Sequence, residues 1–367
     1  PAANQRHVEE QVPSPVLLQL LPTNTPESTP SIQRGSFHGA GGTLLGMQIV
    51  NVCLTIVTLG AYHFWAKAKI RRYLFSQTAF AGDRFAYHGT GKELYQGFLK
   101  ATVVFGIPYF SLGAAHSFLA LPQSVDFLLQ AMAALVLFLY VPVAIVNARR
   151  YRCTRTSWRG IRFSFRGRTV DFLKLYFKGW LFTLLTLGTY YPYFQTQRQA
   201  FLHSHTYFGN QRFQFTGHGS GLMVPFAVTL FTTYAVLCLC GLALALQLTN
   251  AGLTLLLIPF VLGPVWVWLL GQKQKYYWDH TTFGEARFSS SITWQKLFGL
   301  YLGNLALLLL TLGWAWPWVT VRNARFFIGT LSLQGLTDLD RVLQDTTETS
   351  VTGEGLSNLL DTGFDMD

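Results

Sequence analysis

Gly160-Ile161-Arg162-Phe163-Ser164-Phe165-Arg166-Gly167 is the stretch on which the fold turns. Aromatic residues alternate with polar ones between two glycines, the period-two pattern of a short strand bounded by turns. The pattern also stands at Gly82-Asp83-Arg84-Phe85-Ala86-Tyr87-His88-Gly89 and at Gly209-Asn210-Gln211-Arg212-Phe213-Gln214-Phe215-Thr216-Gly217. Gly284-Glu285-Ala286-Arg287-Phe288 is a weaker copy, and Gly35-Ser36-Phe37-His38-Gly39 reads as a worn first one. Self-similarity of this kind marks a chain built from repeated units. Several such strands are expected to pair into a small sheet beside a membrane.

The membrane follows from what lies between the copies. Half of the 367 residues are hydrophobic and 12% are charged, against about a quarter charged in soluble domains. Seven apolar segments meet the roughly 20 residues a spanning helix needs: 43–65, 94–121, 127–147, 172–193, 222–248, 253–270 and 297–318. Lipid leaves backbone polar groups no other partner, so all seven are expected to be helical. The second and third segments, and the fifth and sixth, are joined by short turns without Lys or Arg and read as hairpins.

The other three segments end alike, at Thr58-Leu59-Gly60, Thr186-Leu187-Gly188 and Thr311-Leu312-Gly313, each followed by aromatics and then by basic residues. That order suits a helix leaving lipid through the headgroups. Seven single crossings would put near-identical basic loops on opposite faces. A re-entrant course for the three Thr-Leu-Gly segments keeps every basic loop and both tails in the cytoplasm, and it is the favoured reading; each segment is nonetheless long enough to cross. The expected fold is an all-α polytopic membrane protein with internal repeats: two helical hairpins, three Thr-Leu-Gly helices, and short cytoplasmic β-strands in the connecting loops.

The chain divides into a head to residue 33 expected to be disordered, a repeat-containing membrane domain over 34–336, and an acidic tail from 337, also expected to be disordered. Between residues 31 and 337 there are six acids (Asp83, Glu93, Asp126, Asp171, Asp279, Glu285) against 26 Lys and Arg. Such a surface suits anionic lipid headgroups, with Arg71, Arg72, Arg149, Arg150, Arg198, Arg322 and Arg325 as the expected contacts. Nucleic acid is not expected, because the bases sit at helix ends. Protein partners and oligomeric state are not legible.

No catalytic constellation, metal-ligand set or cofactor motif stands out, and a non-enzymatic role is expected. Cys53, Cys153, Cys238 and Cys240 supply no disulfide framework. Polar residues inside the apolar segments are costly and therefore informative: Asn51, Lys100, His116 and Asn304. A transporter or channel-like protein is the favoured reading: it would join them into a polar path, and a continuous cavity lined by Asn51, Asn304 or Lys100 would mark it. The alternative is a non-catalytic scaffold or assembly factor that meets anionic lipid.

The Thr-Leu-Gly helix ends, the Arg322-Asn323-Ala324-Arg325-Phe326 that follows the last one, and His88-Gly89-Thr90-Gly91-Lys92-Glu93-Leu94 resemble the YjgN-like bacterial inner-membrane proteins, a family of unknown function. The likeness runs from about Phe37 to Leu336. His63-Phe64-Trp65 departs from it in lacking the Pro, and the loop at Gly284 in lacking the Phe-x-Phe-x-Gly ending. The resemblance implies a multi-pass protein of the Gram-negative inner membrane and supplies no activity.

Overall fold

The computed structural model describes residues 32–118, 122–247 and 249–335. The head and tail expected to be disordered lie outside the described residues, save for the last two positions of the head. Each copy of the aromatic loop is a five-residue strand: β1 (Gln33–Phe37), β3 (Asp83–Tyr87), β5 (Ile161–Phe165), β7 (Gln211–Phe215) and β9 (Ala286–Ser290). Before each of the last four, and once more after the final helix, stands a shorter strand: β2 (Thr78–Phe80), β4 (Thr156–Trp158), β6 (Thr206–Phe208), β8 (Thr281–Phe283) and β10 (Leu331–Gln334). Two-residue turns link them, with positive φ at Ala81 and Gly82 and at Arg159 and Gly160, as twisted hairpins require.

The ten strands close into one antiparallel barrel, sealed where β1 meets β10 with Gln33 opposite Leu333. The all-α expectation, with strands confined to connecting loops, is thereby overturned. The three-residue strands follow long helices directly, so no alternation long enough to register precedes them. The barrel also pairs residues hundreds apart in sequence, which no local pattern announces.

Between strands run five helical hairpins: α1 (Gly41–Val57) with α2 (His63–Gln77), α3 (Gly91–Ala101) and α4 (Ile107–Phe118) with α5 (Gln123–Thr154), α6 (Thr169–Leu185) with α7 (Tyr191–Ser204), α8 (Met223–Ala245) with α9 (Ala251–Asp279), and α10 (Trp294–Leu310) with α11 (Trp316–Gly329). One π-helical turn, Thr102–Gly106, joins α3 to α4. Because neighbouring strands are antiparallel, all five hairpins leave and rejoin the same end of the barrel, and all four tight turns lie at the other. The unit is therefore strand, helical hairpin, strand, repeated five times. Helices pack in a ring, α2 on α3, α5 on α6, α9 on α10 and α11 back on α1.

The Thr-Leu-Gly motifs are the tips of the three short hairpins. Leu59, Leu187 and Leu312 take φ near +50° and the following glycines φ near +90°. The threonine hydroxyl organises each turn. Thr58 Oγ1 donates to the Leu54 carbonyl at 2.7 Å and accepts from the Tyr62 N–H at 2.9 Å. Thr186 and Thr311 do the same two hairpins later each time. The tip leucines are 97%, 82% and 90% exposed, which water would penalise and lipid would not.

Four stretches are long and apolar enough to cross a membrane: Gly91–Phe118, Gln123–Thr154, Gly219–Ala245 and Gly252–Asp279. At 1.5 Å per residue they reach roughly 40–48 Å, whereas the 17-residue arms α1, α6 and α10 reach about 25 Å.

Arginines lock neighbouring units together. Arg72, Arg150 and Arg325 each donate to the carbonyl of the glycine that ends a strand copy, Gly89 at 3.4 Å, Gly167 at 3.0 Å and Gly39 at 3.4 Å. Those glycines are required by close approach: a Cβ at Gly89 would lie 2.4 Å from the Tyr87 hydroxyl, and at Gly167 2.6 Å from the Phe165 ring.

Candidate functional site

Alternation along the strands sends one aromatic from nearly every strand into the barrel. Phe85 faces Trp158, Phe163 faces Phe208, and Phe213 faces Phe283 across neighbouring strands. Rings touch at centroid distances of 4.8 Å for Phe163–Phe208 and 4.9 Å for Phe213–Phe283. Phe288 opposite Leu333 and Gly35 opposite Phe80 complete the circuit with smaller partners. A cavity of about 400 Å³ lies among these rings and reaches the hairpin end of the barrel.

Its mouth is cationic. Arg149, Arg152 and His203, at the ends of α5 and α7, line the same cavity as the aromatics. Arg149 donates to Thr206 Oγ1 at 3.4 Å, and its Nε is buried without a hydrogen-bond partner among the described residues. His203 Nδ1 meets Thr281 Oγ1 at 3.2 Å. Burial, and then the Arg149 charge, lower the His203 imidazole to about 4, so it is neutral at pH 7. Lys67 on α2 is likewise lowered, by burial first and then by Arg71 and Arg152. Lys67, Arg71, Arg149 and Arg152 thus form one cationic group above an aromatic well.

The described acids are placed elsewhere. Asp83 pairs with Arg159 at 2.5 Å and Glu93 with Arg155 at 2.7 Å. Asp126 is bound to His116 and also accepts from Gln130. Asp279 accepts from the Ser290 N–H at 2.9 Å. Asp171 and Glu285 are exposed, at the start of α6 and in the β8–β9 turn. Among the described residues no three of His, Cys, Asp and Glu gather as a metal site.

The seven arginines expected at headgroups separate in space. Arg71 and Arg149 belong to the mouth; Arg72, Arg150 and Arg325 hold the glycine carbonyls described above. Arg198 donates to Gln195 Oε1 at 2.8 Å, and Arg322 lies against Gly303 of α10. Asn51, Lys100, His116 and Asn304 are not brought into one path. Asn304 donates to Asn323 Oδ1 at 2.7 Å inside the last hairpin, Asn51 is buried on α1, and Lys100 and His116 are exposed on the outer arms. None of the four lines the barrel cavity.

Sequence reasoning missed Lys67, Arg152, His203 and the inward ring of aromatics. The available signal was Thr-x-aromatic directly before each turn: Thr78-Ala79-Phe80, Thr156-Ser157-Trp158, Thr206-Tyr207-Phe208 and Thr281-Thr282-Phe283.

No solved structure matches the chain. Among curated proteins it is similar to the inner membrane protein YjgN of Escherichia coli O157:H7, 35% identical over 130 residues, and of Escherichia coli K12, 32% identical over 130 residues. The counterpart from Salmonella typhimurium LT2 is 29% identical over the same length. These alignments cover 35% of this chain and 30% of each relative, so the match spans about a third of either. The model of a family described as "Bacterial protein of unknown function (DUF898)" matches residues 32–359, nearly the whole repeat array and beyond; with its apolar hairpins and these inner-membrane relatives, the chain belongs to this YjgN-like family.

Proposed function

We propose that the protein is a non-catalytic, multi-pass inner-membrane protein that binds anionic amphiphiles at the mouth of its barrel. The carrying observation is the cationic group Lys67, Arg71, Arg149 and Arg152 set over the aromatic well. Clustered, partly desolvated cations favour an anionic ligand, and the rings below favour an apolar tail. The transport reading has less support, because Asn51, Lys100, His116 and Asn304 do not share a path.

The four long arms are proposed to cross the bilayer, with the three short hairpins entering and returning. The barrel, its basic rim and both chain ends then lie in the cytoplasm, in keeping with the distribution of Lys and Arg.

The test is binding of dodecyl phosphate to the purified full chain by isothermal titration, beside dodecyltrimethylammonium. Preference for the phosphate, lost in Arg149→Gln/Arg152→Gln, supports the reading. Equal binding of both amphiphiles, or binding unaltered by the double substitution, overturns it.

A further inference from the structure

A second cavity, of about 450 Å³, opens sideways between the hairpins α6–α7 and α8–α9. Trp180, Tyr191, Phe226, Phe231 and Trp266 supply much of its wall, and Lys273 stands within it. Thr183 and Thr229 also face it, but both hydroxyls are spent on their own helices, on the Gly179 and Pro225 carbonyls at 2.7 and 2.9 Å. Lys273 is half-buried and makes no hydrogen bond or ion pair among the described residues. Arg198 lies within Coulombic reach of it, and the Arg198 Nε is buried without a hydrogen-bond partner among the described residues. An apolar cleft thus ends on two neighbouring cations.

Their depth is telling. From Ala251 at the tip of α9 to Lys273 the helix rises about 33 Å. The hydrocarbon core is about 30 Å thick. With the tip at the outer surface, Lys273 stands at the level of the inner headgroups, and the cleft runs from there into the acyl region.

We propose that this cleft holds one anionic phospholipid of the inner leaflet, its phosphate on Lys273 and Arg198 and an acyl chain against Trp180, Phe226 and Trp266. The proposal deepens the anionic-amphiphile reading: it names the ligand and sets its site apart from the barrel mouth.

The full chain is reconstituted in vesicles of equal parts phosphatidylglycerol and phosphatidylcholine, extracted into detergent, and weighed by native mass spectrometry. Retention of phosphatidylglycerol over phosphatidylcholine is expected, falling about fivefold for each cation removed in Lys273→Gln and Lys273→Gln/Arg198→Gln. Ala227→Trp fills the cleft without touching either cation, and is expected to expel the lipid even where the cation variants fail to fold. Equal retention of both lipids, or retention unchanged by Ala227→Trp, overturns the proposal. Arg149→Gln/Arg152→Gln is expected to leave retention intact; loss there instead would place the lipid at the barrel mouth and overturn the cleft. Lipid kept in the cleft by a protein that ignores dodecyl phosphate would sink the barrel-mouth reading alone.

Discussion

Among the described glycines, Gly179 on α6 leaves the least room for a Cβ. A Cβ built there falls 1.9 Å from Cδ2 of Phe194 and 2.4 Å from its Cε2, so the ring would have to retreat by roughly an ångström or more before any ordinary contact is reached. It has nowhere to go. Phe194 is 1% exposed and is hemmed by Tyr176, Trp180 and Tyr191 at centroid distances of 5.6, 6.1 and 6.3 Å. Overpacking of this kind costs about 1–3 kcal/mol, and the better helix propensity of Ala returns at most about 1 kcal/mol. Gly179→Ala is therefore expected to destabilise by about 1–2 kcal/mol in detergent unfolding followed by circular dichroism. Phe194→Leu alone should also destabilise, by vacating core volume. Combined, the two should cost less than their sum by about 1 kcal/mol, since the smaller side chain makes room for the methyl. A neutral or stabilising Gly179→Ala, or strictly additive costs, would refute the packing argument.

Asn51 and Asn304 correspond to Gly179 in the first and last hairpins, yet among the described residues only Asn304 has a side-chain partner. Asn51→Leu is expected to be neutral or stabilising, and Asn304→Leu to cost about 1–3 kcal/mol by stranding Asn323; the same unfolding assay checks both, and a reversed order would sink the account. His203 titrates near 4 when folded against about 6.5 when unfolded. Above pH 6.5 both states are neutral; below it the unfolded chain binds a proton the folded one refuses, so stability falls as pH drops from about 6.5 to 4. His203→Gln should flatten that slope, and an unchanged slope would exclude His203 as its source. Ser124→Cys in the first turn of α5, on a background with the four native cysteines replaced by serine, should react with an impermeant maleimide from outside the cell. Asn210→Cys and Glu285→Cys in the barrel turns should react only after permeabilisation; labelling of either turn in intact cells would overturn the proposed orientation.

The five-residue strands were legible because Phe163-Ser164-Phe165 and its copies alternate between glycines. Their three-residue partners were not, because Thr206-Tyr207-Phe208 offers one and a half periods behind a helix. The return arms of the short hairpins were hidden for a related reason: α2 carries Lys67, Lys69, Arg71 and Arg72, and charge so dense conceals a helix from any search for apolar runs. In the fold Lys67 and Arg71 stand at the barrel mouth, while the hairpin tip is apolar.

The same geometry explains why the arginine pairs were read as one patch and act as two. Successive residues on a helix point about 100° apart, so adjacent arginines cannot share a task. Counting back from the first residue of the following strand, Arg71 and Arg149 stand seven positions before Thr78 and Thr156, and both belong to the barrel mouth. Arg72, Arg150 and Arg325 stand six positions before Thr78, Thr156 and Leu331, and all three grip a glycine carbonyl of the next unit. Register against the strand, rather than charge, therefore separates arginines at the barrel mouth from those that grip a neighbouring glycine carbonyl. By that register, charge neutralisation at position seven should cost anion binding with little loss of fold. At position six it should loosen the contact between neighbouring hairpins while leaving the mouth cationic.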